Sequence, residues 1–229
     1  MAVRLPMRSK RVLTRRLASL NNSMKRVTQK PFNLILLGDP ASGKGTHSAR
    51  LVKEYHLYNF DMGHEVRKPA IRKKFDFTKT TGLGKLTPTD IVRDILRRTI
   101  RSVPAEQGIL FNGHPKMIGE ARLVAKWLRE AGRSDPLVIY LTIPAAESLR
   151  RIRGRVAVVD GKRVKRDDDT ERALMNRRKY YREQVARVVA FFKGKYRFKK
   201  ISSLGTEAEV ARRIIATIER ERKHIHDYH

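Results

Sequence analysis

The sequence predicts an α/β domain built on a parallel sheet covered by helices on both faces, and three observations predict it. Apolar runs of strand length recur along the chain, helix-length stretches separate them, and the first run ends in a Gly-rich loop that opens a helix. Strands that are apolar throughout are buried on both faces, and the crossovers between parallel strands are where helices belong.

The elements follow in order. Residues 1–31 stand apart as a basic N-terminal extension: positions 1–37 hold nine Lys/Arg and no acid. That Arg-, Ser- and Leu-rich composition suits a mitochondrial transit peptide, and equally a basic arm that threads into RNA. The domain proper spans 32–229. Phe32–Leu37 reads as its first strand and Thr46–Tyr55 as the helix after the loop. Helices follow near Thr89–Ile100, Ile118–Glu130 and Glu147–Arg153, and strands at Ile109–Asn112, Leu137–Thr142 and Arg197–Ile201. Val156–Val159 and Lys162–Lys165 flank Asp160-Gly161, a dipeptide favoured in tight hairpin turns, and so form a small flap. The last helix starts at Thr206-Glu207-Ala208-Glu209, a capping box, and carries an apolar stripe at Val210, Ile214, Ile215 and Ile218.

Composition narrows the function. The 229 residues carry 52 Lys+Arg against 23 Asp+Glu, a formal net charge of +29, and 40% are hydrophobic, enough for a buried core. Mean hydropathy is −0.53 and no apolar run approaches membrane-spanning length, so no membrane span is expected. With no cysteine, a disulfide framework, a Cys-ligated zinc site and a thiol nucleophile are excluded. A field this positive concentrates polyanions, and nucleic acid leads the candidate partners. Two basic territories carry it: the extension (Arg4, Arg8, Lys10, Arg11, Arg15, Arg16, Lys25, Arg26), expected to contact RNA phosphates, and Arg150–Lys200, with 19 basic and 6 acidic residues.

The strongest chemical signal is Gly38-Asp39-Pro40-Ala41-Ser42-Gly43-Lys44-Gly45-Thr46, a P-loop set between a strand and a helix. Its glycines let backbone N–H groups turn inward around phosphate oxygens, and Lys44 reaches the terminal phosphates. Position 45 is Gly, so the residue after the lysine offers no hydroxyl to a magnesium ion. Other clusters are weaker. His224, His226 and His229 do not share one helix face, Asp167-Asp168-Asp169 sits among cations, and Trp127 reads as core.

This loop resembles that of the adenylate kinases, Gly-x-Pro-x-x-Gly-Lys-Gly-Thr, at every fixed position. Further blocks are similar to the same family in order: Gly84-Lys85-Leu86 with Asp90-Ile91-Val92, Asn112-Gly113-His114-Pro115-Lys116, Arg151-Ile152-Arg153-Gly154-Arg155, Arg166-Asp167-Asp168-Asp169, and Arg177 with Tyr181. The resemblance implies an acceptor-binding insertion at about 62–100 and a short, cysteine-free lid at about 155–168. It also implies donor-nucleotide contacts from Gly38, Gly43, Lys44, Gly45, Thr46 and Arg151, and a phosphate clamp of Lys44, Arg151, Arg155, Arg166 and Arg177. Arg67, Lys116 and Glu120 fall on its acceptor positions.

On the acceptor side the match breaks. Met62-Gly63-His64 replaces the family's Thr-Gly-Asp, Asn112 stands where a carboxylate organises the water shell of magnesium, Lys116 replaces an arginine, and Glu120 replaces the Gln that reads adenine. An amide lacks the charge that holds a hard cation, and Lys lacks the bidentate fork of Arg. Two readings follow. In the favoured one the chain is a basic RNA-binding subunit of a ribonucleoprotein, a mitochondrial ribosome being the most economical host, with rRNA and neighbouring subunits as partners and ATP or GTP retained in the loop. In the other it is an active nucleoside monophosphate kinase that transfers the γ-phosphate of ATP. For the chain as a whole Mg2+ is left open, and the expected location is the mitochondrial matrix, otherwise the cytoplasm.

Overall fold

The computed structural model describes residues 31–73, 87–153, 157–159, 162–164 and 181–226. The RNA-contact residues of the extension, Gly84-Lys85-Leu86, Arg155, Arg166, Arg177, Asp167-Asp168-Asp169 and His229 lie outside these residues, as do the side chains of Tyr181, His224 and His226.

The chain runs β1 (Leu34–Gly38), α1 (Lys44–Tyr55), β2 (Tyr58–Phe60), two single turns α2 (Met62–Glu65) and α3 (Pro69–Arg72), and α4 (Thr89–Ser102). It continues with β3 (Ile109–Asn112), α5 (Ile118–Glu130), β4 (Leu137–Thr142), α6 (Ala145–Arg153) and the short strands β5 (Ala157–Val159) and β6 (Lys162–Val164). A π-helical turn at Tyr181–Val185 leads into α7 (Ala186–Lys195), then β7 (Phe198–Ser202) and α8 (Glu207–His226). Five strands form one sheet in the order β2-β3-β1-β4-β7, and every pair in it is parallel.

β1 is central because all five of its residues are buried, as an apolar run without alternation requires. Its side chains divide between two cores. Ile35 and Leu37 join α4, α5 and α7 on one face, through residues such as Leu96, Val124 and Phe192. Leu34 and Leu36 join α1 and α8 on the other, through Leu51, Ile214 and Ile218. β3 and β4 flank β1, so the order of connection reverses at the carboxyl end of β1, the place where open α/β sheets bind ligands.

The predicted strands Ile109–Asn112 and Leu137–Thr142 hold to the residue, and β1 and β7 are displaced by one or two positions. The capping box at α8 is formed: Thr206 N–H donates to Glu209 Oε2 at 2.8 Å, and Glu209 N–H to Thr206 Oγ1 at 3.3 Å. The flap pairs antiparallel, with Val159 opposite Lys162. β7 is an edge strand that exposes Lys199 and Lys200; Lys199 pairs with Glu221 of α8 at 2.8 Å. The other edge, β2, escapes the sequence reading because it is three residues long and buries only Phe60 fully.

Candidate nucleotide-binding site

The loop at residues 38–46 is shaped by contacts that only its own sequence permits. At Gly38 a Cβ would lie 2.6 Å from Leu141 O and 2.8 Å from Leu141 Cβ, so the loop can leave β1 against β4 only without a side chain there. Gly43 caps α1 at φ 83°, a left-handed conformation that favours glycine. A glycine cap offers no side-chain oxygen, which leaves the first amides of α1 facing the loop without a side-chain cap. Lys44 Nζ donates to Gly38 O at 2.6 Å and Asp39 O at 2.9 Å, so the ammonium is held across the loop mouth.

Four bonds fix the loop to the neighbouring strand and helix, the first from Asp39 N–H to Leu141 O at 2.9 Å. The Asp39 carboxylate accepts from Tyr140 Oη at 2.6 Å and from Ile143 N–H at 2.9 Å, and Ser148 Oγ donates to Pro40 O at 2.7 Å. Asp39, Tyr140 and Ser148 therefore position the loop. The motif reading treated Asp39 as a free position, and nothing in the sequence pairs it with a tyrosine 101 residues away.

Arg151, expected among the donor contacts, is held by two bonds. Its Nε donates to Glu147 Oε1 at 2.7 Å and its Nη2 to Ser203 O at 2.9 Å, joining α6 to the loop after β7. The bonds from Arg150 and Arg151 push the Glu147 carboxyl down to about 2. His47, buried beneath the loop, is held below the usual imidazole range chiefly by burial, opposed by Glu207 and reinforced by Arg50 and Arg151. Gly45 and Thr46 are exposed at the start of α1.

The acceptor-side residues gather at the end of β3. Gly113 lies beside Lys44: a Cβ there would be 3.7 Å from Lys44 Cε. Asn112 Nδ2 donates to Ser48 Oγ at 3.0 Å, one turn beyond Lys44 on α1, and to Asp61 Oδ2 at 3.3 Å. Asp61 Oδ1 caps α2 by accepting from His64 N–H at 3.0 Å. Arg67 Nη1 donates to Gly63 O at 2.6 Å, and a Cβ at Gly63 would meet Arg67 Nη1 and Asp61 Oδ1 at 3.1 Å each. Asn112 thus links Ser48 of α1 to Asp61 at the end of β2, with Gly113 beside Lys44.

Glu120 departs from its expected part. Its buried Oε2 accepts from Lys116 N–H at 2.8 Å and Met117 N–H at 3.2 Å, so one carboxylate oxygen caps α5. A carboxylate three positions into a helix takes the orphan amides more strongly than it could serve a neutral base edge. Burial raises the Glu120 pKa, against the lowering effect of those amides and of Lys116. His114, after β3, is fully enclosed, stacks edge-on against Phe60 at 5.4 Å and leaves Nε2 without a hydrogen-bond partner. Burial, aided by Lys116, drives its pKa down to about 3, so the imidazole is neutral at physiological pH. Lys116 is half-buried at the same turn.

The family model described as adenylate kinase matches residues 36–197. An adenylate kinase of Phocaeicola vulgatus is 30% identical over 193 residues, covering 82% of this chain and 99% of that protein. One from Parvibaculum lavamentivorans is 30% identical over 186 residues (80% and 90%), and one from Geotalea daltonii 26% over 217 residues (82% and 100%).

Proposed function

The chain belongs to the adenylate kinase family, and from that premise we propose that it is a working nucleoside monophosphate kinase, moving the γ-phosphate of ATP to a monophosphate acceptor. The observation that carries the proposal is the position of Lys44, held across the donor loop on one side and against the acceptor turn at Gly113 on the other. Phosphoryl transfer asks mainly for positioning and for positive charge around the moving group. In this reading Lys44 exchanges its bonds to Gly38 O and Asp39 O for phosphate oxygens, and the uncapped amides of α1 complete the cradle. Arg151 flanks the donor base, while Arg67 and Lys116 meet the acceptor phosphate. The Asp61 carboxylate and the amide oxygen of Asn112 are hard oxygen acceptors, which suit a hydrated divalent cation. Mg2+, when bound, would neutralise charge on the β- and γ-phosphates.

Coverage of the kinase relatives almost end to end weighs for this reading over the ribonucleoprotein one favoured by charge alone. Incubating the protein with ATP and each nucleoside monophosphate should give turnover of about 1–100 per second with at least one acceptor. Absence of turnover with all acceptors, ATP binding intact, would return the chain to the second reading. What favours that second reading is the charge of +29 together with exposed Arg93, Arg97 and Arg101 on α4 and Arg122 and Arg129 on α5. Under it, native protein carries RNA, released between 50 and 200 mM salt with a loss of roughly 10³–10⁵ in affinity.

A further inference from the structure

The carboxylate that the family resemblance places at position 112 is absent here, and another carboxylate stands beside Asn112. Asp61, at the end of β2, places Oδ2 3.3 Å from Asn112 Nδ2, and the two residues are 51 positions apart in the chain. The orientation of the Asn112 amide follows from its partners. Ser48 Oγ spends its proton on Gly45 O at 2.9 Å, so it accepts, and the carboxylate of Asp61 accepts as well. Both demand Nδ2–H, and both hydrogens of Nδ2 are taken. Asn112 Oδ1 is therefore turned away from them.

Charge points the same way. Asp61 makes no ion pair among the described residues, in a chain where 52 cations compete for 23 carboxylates. Two of its acceptor positions are used, by His64 N–H and Asn112, and a carboxylate offers about four. A half-exposed carboxylate without an ion pair among the described residues repels nucleotide phosphates unless a cation lies between them.

We infer that Asp61 supplies the negative charge missing at Asn112, and that Asp61 and Asn112 Oδ1 together accept from the water shell of the divalent cation that accompanies the nucleotide. The inference rests on the kinase reading of this site. It makes the Asn112 exchange a relocation of the charge from β3 to the end of β2. Asp61 is thus a positioning residue, acting on the cation through water.

Calorimetry on the full chain tests it, with ATP titrated in Mg2+ and in EDTA. The variants are Asp61→Asn, Asn112→Asp and the two combined. Asn also serves as an N-cap, so Asp61→Asn keeps α2 closed. Wild type should bind ATP more tightly with Mg2+. Asp61→Asn should lose that gain by roughly 10–100-fold, as removal of an outer-shell partner does, while its affinity in EDTA stays at or above that of wild type. The combined variant, carrying the carboxylate at 112, should recover the gain. An Asp61→Asn protein with the full Mg2+ gain overturns the inference, as does a wild type with none. Failure of ATP binding in both buffers overturns the kinase reading itself.

Discussion

The loop after β1 and the turn after β3 leave adjacent strands at the same end of the sheet, yet they have tolerated change very differently. The loop keeps every fixed position because it works through its backbone. The approach of Gly38 to Leu141 leaves no room for a side chain there, and the left-handed backbone of Gly43 strains any substitution. The turn works through side chains, and those at 112, 116 and 120 depart from the family's pattern. A site built from main chain has few groups to exchange, and one built from side chains offers other places for a charge, as the proposed role of Asp61 beside Asn112 illustrates.

The sharpest way to break this comparison is to put a side chain into the loop. Gly38→Ala places a Cβ 2.6 Å from a backbone oxygen. Overpacking of this kind costs about 3 kcal/mol, and in a chain of this length that lowers Tm by roughly 6–12 °C. Thermal melting checks it, and ATP affinity should fall with it. Next in size is a pair of lysine deletions. Lys44→Ala should weaken ATP binding by about 2–3 kcal/mol, the value of a charge-assisted bond, whereas Lys116→Ala should leave ATP affinity unchanged and raise only the KM for the monophosphate. Equal losses of ATP affinity would erase the distinction between the two regions.

The smallest effect is a pH dependence confined to the turn. Buried His114 titrates at about 3 when folded and near 6.5 when unfolded. Below 6.5 the unfolded chain binds the extra proton, so stability falls as pH falls, by about 1.4 kcal/mol per unit down to the folded value. Glu120, raised by burial, acts with the opposite sign, losing stability as pH rises from its unfolded value. Urea unfolding at pH 5 and pH 8 should show His114→Phe with a loss smaller than that of wild type by about 2 kcal/mol. An unchanged difference would mean that His114 is charged in the fold.

What could be read in the sequence follows from how local each signal is. Ile109–Asn112 and Leu137–Thr142 were legible because strands buried on both faces are apolar without interruption. The loop was legible because its chemistry is contiguous. β2 was not, since three residues hold no period. Asp61 was passed over next to the exchanged Met62-Gly63-His64, because its meaning lies in a contact with Asn112 that only the β2–β3 pairing creates. Glu120 was assigned to the acceptor base because its position implied it; the cap emerges only when α5 is seen to begin at Ile118.

The exposed lysines of β7 have a consequence for how the chain behaves in a crowd. An edge strand presents unpaired amides and carbonyls to any passing strand, and the commonest defence is a row of ammonium groups. Were two molecules to meet along this edge, Lys199 and Lys200 of each would be brought close, and the salt bridge from Lys199 to Glu221 would have to open to relieve them. The opposite edge is only three residues long. Added to mutual repulsion at +29, these two edges, as they stand among the described residues, disfavour extension of the sheet by a second copy.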